Sequence, residues 1–582
     1  MVTKEQAINL LEAIARLLEL KGENPFKIRA YTNAARALET FSGDFPALVQ
    51  GGGLRELTGI GDAIAKKLGE YVNTDRLGYF DDLRAEFPEG LFELFEVQGL
   101  AGKKIKMLWE LLRIQSIPEL EEACRDGRVA DLPGFGVKTA ENLLRSIEQR
   151  AKHSGRFLLS EAAAWADQLI AHFQGHPHVS QIASAGSLRR AKETVGDLDL
   201  LVASKMPAAI MEHFVVSPQI DRVLAKGDTK TSVMLKNGIQ ADLRVVTNAE
   251  FPFALAYFTG SKEHNIALRG RALRSGWTLN EYRLGPDPNS ELPAKPIPSI
   301  DTEEGLYAAL GLDYVAPELR EMTGEIEAAE HHTLPRLIEL SNLRGTFHCH
   351  TNATDGRNTL DEMVAAAHDL GLQYVGIADH SKSSFQAHGL NEEQLLEQVA
   401  AIRKLNIKFG PDFHVFAGAE CDILRDGSLD FADEILAQLD YVVASVHNVL
   451  NLSSAEMTER VIRAIHNPYV TMLGHPTGRL LLSREGSPID LPAVIDAAAE
   501  TKTIIELNAN PRRLDLDWRF WRLAKERGVL CSINPDAHSV SSLQDLWFGV
   551  KAARKGWLTK QDVVNSLPLE KIVPVLRRKL AR

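Results

Sequence analysis

From residue 345 onward, short apolar runs recur, and most of them end in a histidine or a carboxylate. In order they read "GTFHCH", "YVGIAD", "HVFAGAECDI", "YVVASVH", "TMLGHP", "TIIELNA" and "LCSINPDAH". Helical segments separate them. Strand-length apolar runs alternating with helices restrict this half of the chain to a parallel sheet or barrel. Such folds place their chemistry at the carboxyl ends of the strands. His348, His350, Asp355, His380, Glu420, His447, His475, Asp536 and His538 lie at or just beyond those ends. A lone histidine after a strand is more often structural than a ligand. A whole series of ligand-type residues at successive strand ends is hard to attribute to packing. Mixed imidazole and carboxylate sets suit Mn²⁺, Zn²⁺ or Fe²⁺. Clustered metals favour hydrolysis of phosphate esters by a bound hydroxide.

The first part of the chain is organised differently. Three glycine turns punctuate it: "LTGIGDAIAKKLGEY" at 57–71, "VQGLAGKKIKMLWELL" at 97–112 and "LPGFGVKTAENLLRSI" at 132–147. In each, an apolar residue sits in the turn and a helical pattern with lysines follows. This predicts helix–hairpin–helix motifs. Gly59, Gly61, Gly99, Gly102, Gly134 and Gly136 let the backbone approach a phosphate, and the next helix offers its N–H groups to that anion. One copy alone is as easily an ordinary helical turn with a surface lysine. Repetition favours the DNA reading. The middle copy has Ala101 where the others have their second glycine.

Between these regions the texture changes from residue 156. "QIASAGSLRR", "VGDLDLLVAS" and "SVMLKNGIQADLRVV" read as strands around turns, mixed with helices such as "EAAAWADQLIAHF". Asp197 and Asp199 lie two apart, a spacing that points both carboxylates to one face of a strand. Asp242 lies on another strand-like segment. Three convergent carboxylates suit Mg²⁺ or Mn²⁺, which activate a hydroxyl and stabilise leaving pyrophosphate in phosphoryl transfer. The "GSLRR" turn upstream supplies a hydroxyl and guanidinium groups for a triphosphate. A D-x-D alone is more often a solvated turn. The accompanying turn and third aspartate favour the catalytic reading. "LGPDPNSELPAKPIPS" at 284–299 predicts a long loop, and the charged segment 317–342 predicts a linker.

"AGSLRRAKETVGDLDLLV", "ADLRVV" and "YFTGSKEHNIALR" occur in the order found in DNA polymerase family X, which the first half of the chain resembles. The resemblance implies that Asp197, Asp199 and Asp242 are palm metal ligands. It implies that Gly186, Ser187 and Arg190 bind the incoming triphosphate. Tyr257, Phe258, Thr259 and Gly260 match the thumb turn beside the incoming sugar, and Asn265 and Arg269 match contacts to the nascent base pair. Gln240 departs from the arginine of some relatives. "NPFKIRAYTNAARALETF" and the first glycine turn resemble the family's small gap-binding domain. Lys27 then matches a 5′-phosphate contact. Lys67 matches the lysine that forms a Schiff base with an abasic sugar in lyase-active members, but a phosphate-binding role on the helix is the reading favoured from the sequence. Residues 343–582 resemble the PHP (polymerase and histidinol phosphatase) domain. The likeness implies up to three ions in a distorted seven-stranded (β/α) barrel. It assigns one to His348, His350, Glu420 and Asp536, a second to Glu420, His447 and His475, and a third to Asp355, His380 and His538.

The implied organisation is a gap-binding helical domain (1–83), a helical DNA-binding domain (84–155), a nucleotidyltransferase palm (156–250), a thumb (251–316), the linker and the barrel. The implied activity is template-directed filling of short gaps in base excision repair. It is joined to a 3′–5′ exonuclease, with AP endonuclease or 3′-end cleaning as further reactions of that site. The partners are deoxynucleoside triphosphates and gapped, nicked or primer–template DNA, bound by a monomer. A net charge of −12 does not exclude DNA, because a basic face can coexist with an acidic remainder. The chain has only four scattered cysteines, no apolar run of membrane-spanning length and no signal-peptide pattern at its start, which predicts a cytoplasmic, nucleoid-associated protein away from membranes. Two other readings compete. In one, the barrel is a small-molecule phosphatase, which would need neither hairpins nor thumb. In the other, the chain is a DNA-end scaffold without catalysis, which would lack ligands.

Overall fold

The computed structural model describes residues 2, 4–40, 45–57, 59–97, 99–153, 155–290, 296–577 and 579. It falls into two units, 1–154 and 155–582. Thr58 and Gln98, in the first two glycine turns, and residues 291–295, in the long loop, lie outside the described residues.

The first unit is helical. Its opening helix, Lys4–Lys21, buries Ala7, Leu11, Ile14 and Leu18, a spacing of four, three and four that aligns one apolar stripe. That stripe joins Leu68, Leu94, Ile105 and Leu108 in one core. The three glycine turns share the hydrogen bond at their tips. Ile60, Leu100 and Phe135 are buried at the tips, and each donates its backbone N–H to the carbonyl three residues back, at 3.0, 3.1 and 3.1 Å. The glycine before each tip residue is left-handed, with φ of 102°, 94° and 82° at Gly59, Gly99 and Gly134, which suits glycine alone. Ala101 is extended, at φ −125° and ψ 167°, as Gly61 is at −81° and 165°. The alanine of the middle copy therefore costs the turn nothing.

The second unit begins with a five-stranded sheet in the order Gln181–Ser184, Asp197–Ala203, Gln240–Val246, Lys230–Leu235, Ile220–Lys226. Only the pair Asp197–Ala203 and Gln240–Val246 is parallel. Leu198, Leu200 and Val202 alternate onto the face covered by the helices Leu159–His172 and Pro207–Val215. The period of two leaves Asp197 and Asp199 on the other face. The thumb follows with helices Phe251–Thr259, Lys262–Arg274 and Glu303–Ala309 and a two-stranded hairpin.

Seven parallel strands then run in sequence order from Gly345–Cys349 to Cys531–Asn534. The sheet closes on itself after the last strand: His350 donates to the Ala537 carbonyl at 2.9 Å and Ala537 to that of His348 at 3.2 Å. This is the seven-stranded barrel that the PHP resemblance implies. The segment 317–342 carries buried charges. Glu318, Arg320 and Glu325 are buried. Glu318 meets Lys551 at 2.7 Å and Arg554 at 2.9 Å on a barrel helix, Arg320 meets Glu303 at 2.7 Å, and Glu325 meets His264 at 2.8 Å. Its charges serve as buried pairs between thumb and barrel. Among the described residues, no helix is long and apolar enough to cross a membrane.

Candidate active sites

In the palm, the parallel register sets Asp199 directly opposite Asp242, and Asp197 opposite Gln240. Burial and the carboxylates of Asp197 and Asp242 push Asp199 up to about 6. Asp242 is treated differently. Burial pushes it up, but Lys230, Ser232 and Gln240 outweigh that and hold it below the usual carboxylate range. Lys230 lies 2.5 Å from its Oδ2, and Gln240 donates to its Oδ1 at 3.0 Å. Gln240 therefore supports the third aspartate as a neutral donor. Gly186 opens a short helical turn against this face. A Cβ there would sit 2.3 Å from Asp199 Oδ2, so only glycine fits.

The turn and the thumb are tied together. Arg190 donates from Nη1 to the Thr259 carbonyl at 2.5 Å and from Nε to Glu321 at 3.1 Å. Arg189 donates to Thr259 Oγ1 at 2.6 Å and pairs with Glu303. Asn265 donates to the Tyr257 carbonyl at 2.7 Å, bracing the thumb turn, and the Arg244 guanidinium lies over the Phe258 ring. Arg269 is exposed.

The barrel site is the more closely assembled. Among the described residues, every group of three or more ligand-type residues whose atoms converge within 4.8 Å of one another lies here. All nine residues named from the sequence take part. Glu420 is the hub: its carboxylate is 2.9 Å from His475, 2.9 Å from His380, and 3.2 Å from both His348 and His447. His350 lies 3.2 Å from Asp536, and Asp355 lies 3.5 Å from His380 and 3.3 Å from His538. His350 converges both with His348 and Asp536 and with Asp355, His380 and His538. His348, at φ 59°, and Asp536, at φ 51°, hold a left-handed backbone that costs an ordinary residue about 1–3 kcal/mol.

These donors fit metal ions. His348 Nε2, His380 Nδ1 and Glu420 Oε2 are buried and make no hydrogen bond, although the last two are 2.9 Å apart. In folded proteins most buried polar atoms are partnered. Close approach without hydrogen-bond alignment is what ligand atoms sharing a cation show. Burial opposes protonation of His380 and His447, but Glu420 and the neighbouring aspartates push them up to about 10 and about 9. Burial and the imidazoles of His538 and His380 push His350 down to about 3. The cluster has the composition and convergence of a metal-binding centre.

Several residues of the site were not singled out from the sequence. Glu506 takes His348 Nδ1 at 2.6 Å and the His475 backbone N–H at 2.7 Å, fixing both ligands. Asp422 takes His447 Nδ1 at 3.1 Å. Its signal was present: it stands two residues after Glu420 on one strand, the same spacing that marked Asp197 and Asp199. Arg513 lies 3.4 Å from Asp536. Phe385 is 84% exposed and lines the same cavity, of about 350 Å³, with Asp355, His380, Arg513 and His538.

In the first unit, Lys67 Nζ lies 4.2 Å from the centre of the Tyr79 ring and 5.8 Å from that of Tyr31. Burial and the charge of Lys27 hold its ammonium below the ordinary lysine range. Lys27 is paired with Glu23 at 2.5 Å. Gly102 faces inward, where a Cβ would meet the Glu19 side chain at 2.7 Å.

Comparison with known proteins agrees with this anatomy. Residues 2–77 match a helix-hairpin-helix domain, 254–321 the DNA polymerase beta thumb and 346–508 the PHP domain. A Bacillus subtilis protein named DNA polymerase/3′-5′ exonuclease PolX is 39% identical over 577 residues, 99% of each chain. DNA polymerase lambda of Rattus norvegicus is 25% identical over 340 residues, 53% of this chain and 55% of its own. A probable phosphatase of Caldicellulosiruptor bescii is 32% identical over 206 residues, 33% of this chain and 78% of its own.

Proposed function

From the premise that this chain belongs to the bacterial PolX family of DNA polymerases with a C-terminal PHP domain, we propose how its residues divide the work. The chain is a DNA polymerase that fills short gaps in repair and carries a metal-dependent 3′–5′ exonuclease. The observation that carries the reading is the coexistence of two acidic centres. One is the Asp199–Asp242 pair beneath the Gly186 turn, and the other is the nine-residue cluster of the barrel.

In the palm, Asp197, Asp199 and Asp242 hold Mg²⁺ or Mn²⁺. Those ions, when bound, favour ionisation of the primer 3′-hydroxyl and neutralise the departing pyrophosphate. The Ser187 hydroxyl and Arg190 guanidinium hold the triphosphate. Tyr257 to Gly260 shape the place of the sugar, and Asn265 and Arg269 face the nascent pair. Lys27, Lys67 and the glycine turns of the first unit contact the DNA backbone, and Lys67 is the lyase nucleophile. Its aromatic surroundings and lowered pKa support that role, since a lysine must be neutral to attack.

In the barrel, the nine residues would hold up to three ions of Mn²⁺, Zn²⁺ or Fe²⁺, which would supply Lewis-acid activation for phosphodiester hydrolysis. Glu506 and Asp422 hold His348 and His447 in orientation. Arg513 takes the scissile phosphate. Phe385 offers an aromatic face at the rim, which a nucleobase at a frayed 3′ end can stack upon. A bare phosphomonoester makes no use of it, and this favours the exonuclease over a small-molecule phosphatase.

The test is a labelled primer–template and gapped-DNA assay, with and without nucleotides, in Mg²⁺ and in Mn²⁺. Wild type should extend with nucleotides and degrade 3′ ends without them. Phosphomonoester hydrolysis faster than 3′-end degradation would restore the phosphatase reading.

A further inference from the structure

The Lys555 ammonium ends the barrel helix Leu546–Lys555, yet it is buried beside the palm. Its Nζ donates to the backbone carbonyl of Arg190 at 3.0 Å, to Glu321 Oε1 at 2.8 Å and to the Glu318 carbonyl at 3.4 Å. Glu321 Oε1 is also the acceptor of Arg190 Nε, at 3.1 Å. One barrel lysine thus grips Arg190 at both ends, directly at the backbone and through Glu321 at the guanidinium. The third hold on Arg190 is the Thr259 carbonyl, taken by Nη1. Among the described residues, Nη2 takes no partner and is the edge left for a phosphate oxygen.

We propose that Lys555 is a positioning residue for nucleotide binding: a side chain of the PHP barrel sets the aim of the palm arginine that holds the triphosphate. Burying an ammonium is costly unless hydrogen-bonded partners compensate it. A methionine would fill the same space without that cost, so what the lysine adds is its bonds to the three acceptors. The same helix fixes the neighbouring backbone, because Lys551 and Arg554 hold Glu318. Glu321 also meets Lys192 at 3.5 Å, two residues past Arg190, so the turn is held at a second point. A guanidinium left free to swing must be ordered each time a triphosphate binds, and ordering a long side chain weakens binding. Held in place beforehand, it binds more tightly without changing the chemical step.

The inference rests on the reading of Arg190 as a triphosphate ligand, and the experiment separates the two. In full-length protein, KM and kcat for single-nucleotide insertion into gapped DNA are measured for wild type, Lys555→Met, Glu321→Gln, the double variant and Arg190→Ala. Exonuclease rate and thermal melting are followed in parallel. Lys555→Met and Glu321→Gln should each raise the nucleotide KM about tenfold, as loss of one charge-assisted hydrogen bond implies, with kcat within about twofold of wild type. The double variant should raise KM by less than the product of the two single effects, because the Lys555–Glu321 bond is lost in both. Exonuclease activity should be unchanged, a split that a general loss of folding does not give. If Lys555→Met melts early, Glu321→Gln carries the test alone. An unchanged KM in Arg190→Ala would overturn the triphosphate reading and the inference with it. A raised KM in Arg190→Ala with wild-type KM in Glu321→Gln would overturn the inference and leave that reading standing.

Discussion

Lys230 Nζ lies 2.5 Å from Oδ2 of Asp242, the carboxylate that faces Asp199 across two parallel strands. The lysine puts a positive charge where a divalent cation is needed, and the two must compete. Lys230→Met should lower the Mg²⁺ concentration for half-maximal primer extension by about threefold, a modest factor because the ammonium is partly exposed and screened. Asp242→Ala, the reference, should reduce extension to background and leave exonuclease activity intact. Titrating Mg²⁺ in an extension assay checks both. A higher requirement in Lys230→Met would mean that the lysine organises the carboxylate instead of competing for it.

The barrel cluster should separate from polymerisation in the opposite sense. His350→Ala removes an imidazole that converges with both Asp536 and Asp355, and should reduce 3′-end degradation to background while extension persists. Glu506→Gln keeps every ligand but weakens the hold on His348 and His475. It should lower metal affinity or exonuclease rate about 10–100-fold, the usual cost of disturbing a residue behind a ligand. Metal content by mass spectrometry alongside the nuclease assay distinguishes the two variants. Wild-type degradation by His350→Ala, with contaminating nuclease excluded, removes that histidine from the site.

Phe385 distinguishes a base-bearing substrate from a bare phosphate. Phe385→Ala should raise KM for a single-stranded 3′ end by about one to two orders of magnitude, the equivalent of one lost base–aromatic stack of about 1–3 kcal/mol. Any hydrolysis of p-nitrophenyl phosphate should be unaffected. Equal losses on both substrates would mean that the ring supports the loop and not the base.

Lys67→Ala should weaken binding to gaps with a 5′-phosphate, by less at high salt, because one cation's counterion release is lost. Borohydride trapping on an abasic 5′ end tests the nucleophile directly. Wild type should give a covalent adduct and Lys67→Ala none. No adduct in wild type leaves Lys67 with binding alone.

The barrel was legible because its signals are local. Each strand is a short apolar run, each ligand sits at its end, and no distant knowledge is needed to see "HCH" or "NPDAH". That Asp199 shares a sheet face with Asp197 was legible for the same reason, by their spacing on a strand. What escaped depends on partners far along the chain. Glu318, Arg320 and Glu325 lie in the charged segment expected as a linker, and they pair with residues 17 to 236 positions away. Lys555 looks like a surface lysine at a helix end, and its acceptor at Arg190 is 365 residues distant. The strand Ile220–Lys226 was not read, since "IDRVLAK" lies at the sheet edge with its side chains mostly exposed and lacks the apolar alternation of its neighbours.

Barrel closure has a consequence in time. The peptides that close the barrel, from His348 and His350 to Ala537, are the peptides that carry the ligands. Asp536 leaves the ribosome 186 residues after His350, by which point palm and thumb are already outside it. A chain that stops before Asp536 therefore has Asp197, Asp199 and Asp242 but only part of the nine-residue barrel cluster.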